Sequence, residues 1–356
     1  MSDLLLNLTP TAAAAALGDW LRDRGEPAYR VRQIVPRLWQ RPVAAWSEAT
    51  DLPVGLRREL DAAWPLPRPV QRARQTSHDG TIKFLWEFPA GDAVESVLIL
   101  EGRRRTLCIS SQAGCAFGCV FCATGRMGFV RHLAPWEITA QVRELALDPE
   151  LNMPTNVVFM GMGEPLHNWD AVDRALTILN APEGFGIGAR HITVSTVGLV
   201  PALEQLAARR EQFRVALSLH AADPATRRSL MPVEGKYPLA DVMAVLRQFP
   251  KRVTLEYVMI EGINDRDSDL RELTQVARSS GALVNLLPLH PGGAPGYRPT
   301  PPARIAAFAA GLEAHGISAT IRRSRGLDIS AACGQLRLET DEVRGVSPEV
   351  DAHVEE

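Results

Sequence analysis

Gly114-Cys115-Ala116-Phe117-Gly118-Cys119-Val120-Phe121-Cys122 sets three cysteines in a C-x3-C-x2-C run. Three thiolates on one short loop can hold three irons of a [4Fe–4S] cluster and leave the fourth iron open to a ligand, whereas ligation by four cysteines closes such a cluster for electron transfer. The other two of the chain's five cysteines stand apart. Cys108 lies seven residues before the run, and Cys333 comes in Ala331-Ala332-Cys333-Gly334, more than two hundred residues after it.

Two plainer uses compete for these residues. Structural zinc takes four ligands, usually from two knuckles, and no second knuckle accompanies Cys115, Cys119 and Cys122. A disulfide framework belongs to small domains in oxidising compartments. The N-terminal MSDLLLNLTPTAAAAALGDW carries Asp3 and Asp19, no basic n-region and no cleavage site, so a reduced, cytoplasmic location is expected. The cluster reading accounts for the spacing best.

Outward from the loop the chain alternates strand and helix. Strands are predicted at 105–110, 156–161, 191–196, 214–220, 252–259 and 283–289, with a further one at 317–322. Helices are predicted between them at 135–147, 169–180, 200–210, 238–248, 267–279 and 302–314. This alternation predicts an α/β fold with parallel strands and crossover helices. About six units are too few for a closed eight-fold barrel, so a partial (β/α)6 barrel with an open side is expected. Before it, 81–88 and 94–100 read as a hairpin around Gly91-Asp92. Earlier still, helical patterns at 11–24, 29–39 and 53–63 end at the Pro65, Pro67, Pro69 segment, which reads as a linker. The expected division is a helical accessory domain at 1–75, a hairpin extension at 76–104, the barrel with a late cysteine loop at 105–338 and an acidic disordered tail at 339–356.

Strand alternation gives the barrel an unusual interior. Thr106, Cys108 and Ser110 share one face; so do His191, Thr193 and Ser195; so do Ala216, Ser218 and His220; so do Thr254 and Glu256. Closed barrels fill their interior with large branched residues. Small and polar residues imply a wet, ligand-holding cavity, with Cys108 pointing into it.

Composition excludes other classes. The 356 residues are 46% hydrophobic and 22% charged, as in ordinary globular proteins, and no apolar stretch reaches transmembrane length. A soluble protein is expected. The net charge of −2 hides an asymmetry, because residues 339–356 hold seven acids and one Arg (net −6), leaving +4 on the remainder. Residues 1–75 hold eleven Arg, no Lys and eight acids, and further Arg clusters lie at 103–105 and 322–325. Such basic stripes suit RNA phosphates, as readily as they suit a solvated face.

The cysteine spacing is the one by which radical S-adenosylmethionine (SAM) enzymes are known, and Gly161-Met162-Gly163-Glu164-Pro165-Leu166, ending a buried strand, looks like their SAM-binding glycine element. With TLCISSQAGCAFGCVFCATGRMGF (106–129), VVFMGMGEPLHN, STVGLVP, SLHAADPATR and RGLDISAACGQLR, the chain resembles the RlmN family over nearly its whole length except the acidic tail. Those are radical SAM methyltransferases acting on adenine C2 of 23S ribosomal RNA (adenine 2503) and tRNA (adenine 37); the related Cfr enzymes act on C8. The resemblance implies a radical SAM barrel with one [4Fe–4S] cluster on Cys115, Cys119 and Cys122, and two SAM molecules per turnover. It implies SAM contacts at Gly163, Glu164, Ser195, Ser218, Leu219 and His220, a methyl-carrying Cys333, a Cys108 that later pairs with it in a transient disulfide, and Glu95 as proton acceptor. It departs at Val284-Asn285-Leu286-Leu287-Pro288-Leu289-His290, where His290 stands in place of an Asn that contacts SAM; histidine can still make one hydrogen bond. Implied partners are 23S rRNA, tRNA and an electron donor such as flavodoxin or ferredoxin, with no membrane and a monomeric chain. C8 methylation would use the same five cysteines, and a non-catalytic, metal-stabilised RNA-binding protein would have no use for Cys108 and Cys333.

Overall fold

Three helices open the chain: α1 (Pro10–Arg22), α2 (Arg30–Ile34) and α3 (Val54–Ala63). The Thr9 hydroxyl caps α1 by accepting from the Ala12 amide, with Pro10 at the first helical position, where its missing N–H costs nothing. The predicted helix over 29–39 is cut short. Pro36 cannot donate to an α-helical ladder, and Val35–Arg37 tightens into a 3-10 turn instead. The structure, a computed structural model, describes residues 4–249, 253–290, 296–332 and 334–336.

A four-stranded antiparallel meander follows, β1 (Val70–Thr76), β2 (Ile82–Glu87), β3 (Ala93–Glu101) and β4 (Arg104–Cys108). The hairpin is therefore two strands of a larger meander, and residues 70–76, which the proline pattern leaves outside the sheet, form its exposed edge strand. After β4 come β5 (Gln112–Gly114), α4 (Ala123–Arg126) and β6 (Phe129–His132), where β5 and β6 pair in a separate two-stranded sheet that brackets the cysteine run. The barrel proper continues with α5 (Pro135–Leu147), β7 (Asn156–Phe159), α6 (Trp169–Asn180), β8 (Ile192–Thr196), α7 (Val200–Ala207) and β9 (Arg214–Ser218). It then runs through α8 (Pro224–Leu230), α9 (Leu239–Leu246), β10 (Thr254–Met259), α10 (Asp267–Ser280), β11 (Leu283–Pro288), α11 (Pro302–Ala314) and β12 (Ala319–Ile321).

One ten-stranded sheet results, in the order β1-β2-β3-β4-β7-β8-β9-β10-β11-β12. From β4 to β12 each neighbour is parallel to the last, with β12 a three-residue final strand. β1 and β12 stand at opposite ends of that order, so the sheet curves into a partial barrel that stays open. The alternation predicted for β8 and β9 is observed: Thr193, Ser195 and Ser218 alternate with the buried Val194 and Leu217.

α5 joins the parts. Eleven of its thirteen residues are buried, because the N-terminal helices cover the side turned from the sheet. Its buried Arg143 donates to the carbonyls of Leu38 (3.2 Å) and Val43 in the helical unit. On its inner side Gln141 accepts from the Ser110 amide at 2.9 Å and donates to the Ser110 carbonyl at 2.8 Å, which fixes the chain where it leaves β4 for the cysteine loop. Among the described residues no helix is long and apolar enough to cross a membrane.

Candidate active site

The cysteine run sits at the C-terminal end of β4, the end of the parallel strands where barrel sites form. Three backbone bonds shape it: Cys115 N–H to Gly128 O (2.8 Å), Val120 N–H to Leu230 O (3.1 Å) and Cys122 N–H to Cys119 O (3.1 Å). Gly114 has a left-handed φ of 74°, and a Cβ there would fall 2.0 Å from Gly128 O, so only glycine lets β5 and β6 close round the loop. Burial, reinforced by Glu164 and Cys122, pushes the Cys115 thiol up to about 12, and burial with the two neighbouring cysteines raises Cys119 further. Burial likewise raises Cys122. As bare thiols all three would stay protonated, and a bound metal centre is what converts such groups to thiolates. Among the described residues no three His, Cys, Asp or Glu side chains close round a single metal ion.

The positions assigned to SAM line up along successive strand ends. Gly163 and Glu164 follow β7, Ser195 is on β8, Ser218-Leu219-His220 end β9, and His290 follows β11. Glu164 is fully buried. It accepts from the amides of Leu166 (3.0 Å) and Val197 (2.9 Å), and burial outweighs these bonds and pushes its carboxyl up to about 7. Only neutral donors satisfy it among the described residues, which fits a site awaiting an ammonium group such as SAM carries. The two glycines of this element serve the protein's own packing as much as any ligand. A Cβ on Gly163 (φ 95°) would meet the Gln112 side chain at 2.5 Å, and one on Gly161 would meet Ser110 Oγ at 2.6 Å.

His220 is held in the left-handed region at φ 57°, a strained place for a residue with a Cβ. Three bonds hold it there: its amide donates to Glu256 O at 3.2 Å, Asn264 donates to its carbonyl at 2.7 Å, and its Nδ1 accepts from the Val258 amide at 3.0 Å. An accepting Nδ1 makes the ring neutral with its proton on Nε2. Burial and then Arg227 push its pKa down to about 3, so it stays neutral. Phe121 of the cysteine loop packs edge-on to this ring at 4.4 Å. Level with Ser218, Glu256 is buried on the barrel face; it accepts from Asn285 at 3.0 Å, while its Oε2 has no hydrogen-bond partner among the described residues. A buried orphan acceptor in a polar lumen is a second feature that fits a bound polar ligand. His290 pairs through Nε2 with Ser324 Oγ.

Cys108 ends β4 on the barrel face, buried. Glu95 is no solvated strand acid: it is on the same face of β3, deeply buried, with Oε1 3.1 Å from Lys83 Nζ. Cys333 lies outside the described residues, as does the 339–356 tail, but the segments around Cys333 are anchored on both sides. Upstream, Asp328 accepts from Ser77 Oγ (2.5 Å) and the His78 amide (3.1 Å), and the Gly326 amide donates to Asp79 (3.0 Å), all in the β1–β2 turn. Downstream, the Ala123 amide donates to Gly334 O (2.8 Å) and Thr124 Oγ1 to Leu336 O (2.7 Å), beside Cys122.

Several contributors were not legible as site residues. Gln112 donates from Nε2 to His132 (3.0 Å) and His167 (3.1 Å) and accepts from the Glu164 amide (2.7 Å), tying the cysteine clasp to the glycine element. Arg227 is buried beside Cys119 and His220 and pairs with Glu234. It lies within SLHAADPATR, so the motif was visible but not its role. Arg103–Arg105 begin β4, at the barrel end away from the cysteines, whereas Arg322–Arg325 follow β12 at the site's own end. Of the eleven Arg in residues 1–75, seven are ion-paired: Arg22, Arg24, Arg30, Arg37, Arg68, Arg72 and Arg74.

Residues 109–274 match the Radical SAM superfamily. The chain is 55% identical over 94% of its length to the probable dual-specificity RNA methyltransferase RlmN of Gemmatimonas aurantiaca, covering 93% of that protein. It is 41% identical over 91% of its length to the dual-specificity RNA methyltransferase RlmN of Syntrophobacter fumaroxidans, covering 96% of it. A crystal structure of a radical SAM methyltransferase from Sphaerobacter thermophilus superposes with a TM-score of 0.87 at 42% identity, over 94% of this chain and 99% of that one. With this cysteine clasp at the mouth of an open parallel barrel, the chain belongs to the RlmN family of radical SAM methyltransferases.

Proposed function

We propose that this protein methylates carbon 2 of an adenine in 23S rRNA and in tRNA, with Cys333 as the residue that carries the methyl group. The observation that bears most weight is the placement of Cys108 and the buried Glu95 on one face of β4 and β3, a diagonal step apart, together with the docking of the segments flanking Cys333 onto the β1–β2 turn and the cysteine loop. Carbon 2 is electron-poor and no nucleophile, so direct methyl displacement onto it fails. Bound at Cys115, Cys119, Cys122 and the strand ends, one cluster and two SAM per turnover supply the methyl group, an electron and a 5′-deoxyadenosyl radical.

The chain's own groups do the rest. Glu164 receives the ammonium of SAM, and the neutral His220 offers its Nε2–H. Ser195, Ser218, Leu219, Gly163 and His290 complete the contacts. Cys333, as a thiolate, takes the methyl group and becomes the link to RNA. Glu95 accepts the proton that the ring carbon loses, and the one electron left over from addition of the carbon radical would return to the oxidised cluster held by Cys115, Cys119 and Cys122. Cys108 then attacks the Cys333 sulfur: the S–S bond forms as the C–S bond breaks, the bonding pair goes to carbon, and the Cys108 proton completes the methyl group. An external reductant, of flavodoxin or ferredoxin type, must supply the cluster, and the disulfide must be reduced for the next cycle. The target base is unstacked into the cavity, while Arg323, Arg325 and the N-terminal helical unit hold the surrounding RNA on a monomeric enzyme.

Nucleoside mass spectrometry of rRNA and tRNA from a strain lacking the gene tests this. Loss of 2-methyladenosine is expected; loss of 8-methyladenosine would transfer the protein to Cfr-type regiochemistry, and unchanged RNA would refute both.

A further inference from the structure

Lys83 has no place in the chemistry so far, yet it is 6% exposed, on the barrel face of β2, with Nζ 3.1 Å from a Glu95 carboxylate that is itself 3% exposed. Lysine is almost never buried unless paired, and an apolar pair of similar volume would fold about as well. The sheet register places the two with care. Lys83 lies opposite Val97 and Glu95 opposite Leu85, so they meet on a diagonal, and Val97 in turn lies opposite Cys108. Lys83, Val97 and Cys108 therefore form one row across β2, β3 and β4, with Glu95 one step along the same face.

Lys83 is the cation paired with Glu95 on that face. β1 contributes the uncharged Ala73 and Gln75, opposite Leu85 and Lys83, and β4 contributes the Cys108 thiol. β5 (Gln112–Gly114), also packed on β3, carries no charge. Backbone atoms of Glu95 are fixed separately: its amide donates to Met162 Sδ (3.4 Å), and its carbonyl accepts from Ser110 Oγ (2.6 Å). At the side chain, the Lys83 ammonium pairs with Oε1 of Glu95.

We propose that Lys83 is a positioning residue for the proton-transfer step, holding Glu95 ionised and fixed in the cavity wall until the adenine arrives. The inference rests on the assignment of Glu95 as base. A carboxyl group this deep would stay protonated at neutral pH without a cation, and a protonated acid takes no proton. In the step itself the ring C–H bond breaks, its electron pair stays with the ring, and the proton passes to a Glu95 oxygen; the Lys83 ammonium keeps its own protons throughout.

The test is single-turnover release of methylated RNA from holoenzyme already methylated at Cys333, measured from pH 6 to 9. With Lys83→Met, release at pH 7 should fall about tenfold or more, and the acidic limb of the rate profile should move up by about one unit or more, since one pK unit is a tenfold population change. Lys83→Arg should keep the limb near its original place. The double variant K83M/E95Q should be no slower than E95Q, because Lys83 then has nothing left to position. Iron content and a cooperative thermal transition check folding; if K83M fails them, Lys83→Gln carries the same test. An unmoved acidic limb, with a uniform loss at all pH values, would make Lys83 a packing residue and overturn the proposal. If E95Q alone releases RNA at the unmodified rate, the assignment of Glu95 as base is what has failed, and the proposal falls with it.

Discussion

Glu164 couples stability to pH. Its folded pKa of about 7 stands above the ordinary value of 4.5, so the folded state holds a proton that the unfolded chain releases. Stability from this group is present in full below pH 4.5 and is lost as pH rises toward 7, by about 3 kcal/mol from the shift alone. His220 works in the opposite sense: with a folded value near 3 it is neutral in the fold, and stability is lost as pH falls below 6.5. The two partly cancel between them, so the difference between variant and parent is the clean observable. In the cofactor-free protein, the melting temperature of Glu164→Gln relative to the parent should climb between pH 5 and 7 and then level off. A flat difference would place Glu164 in a wetter setting. The cysteines divide by task. Cys115→Ala, Cys119→Ala or Cys122→Ala should abolish the brown colour and the complement of about four irons. Cys108→Ala should retain iron, methylate Cys333 and stall with RNA attached, since no thiol resolves the thioether. Mass spectrometry of the peptide spanning residues 326–337 after nuclease digestion reads this, and normal turnover would refute the role of Cys108.

At the scale of elements, what the sequence disclosed depended on pattern length. Crossover helices and most barrel strands run five to fourteen residues, long enough for a periodic pattern, and each predicted barrel strand has a counterpart in the sheet. β1 escaped because VQRARQT is exposed at nearly every position on a sheet edge, so it has no apolar face to betray it. β5 and β6 are three and four residues long, too short for any periodic signal. The site was legible where chemistry forces residue type, as at Cys115, Cys119, Cys122 and Glu164. It was not legible where long-range contact assigns the role, as for Lys83, Gln112 and Arg227. The β1–β2 turn is the clearest case: Asp79-Gly80 reads as a turn, and nothing local says that its neighbours grip Asp328. Asp328→Asn removes charge from two accepting oxygens and should loosen this grip locally. Hydrogen exchange over residues 326–332 should quicken and trypsin should cut after Arg325 sooner, with iron content unchanged. Equal protection in variant and parent would show the turn to be incidental.

The whole molecule hangs on α5, which presents Gln141 to the cysteine loop and Arg143 to the helical unit. Arg143→Met would strand the carbonyls of Leu38 and Val43 without a donor. A loss on the order of 2–4 kcal/mol is expected from the urea midpoint, in one transition, because the helical unit and the barrel share that core. Two separate transitions would mean that the parts fold independently. The anchoring of the late segment has a further consequence for how the protein is made. Ser77 meets Asp328 across 251 residues, and Thr124 meets Leu336 across 212. On a ribosome both docking points emerge long before their partners at 328 and 336, so the late segment docks only after most of the barrel is already out. A chain truncated just before Cys333 would thus be a nearly complete barrel without the residue proposed above to carry the methyl group.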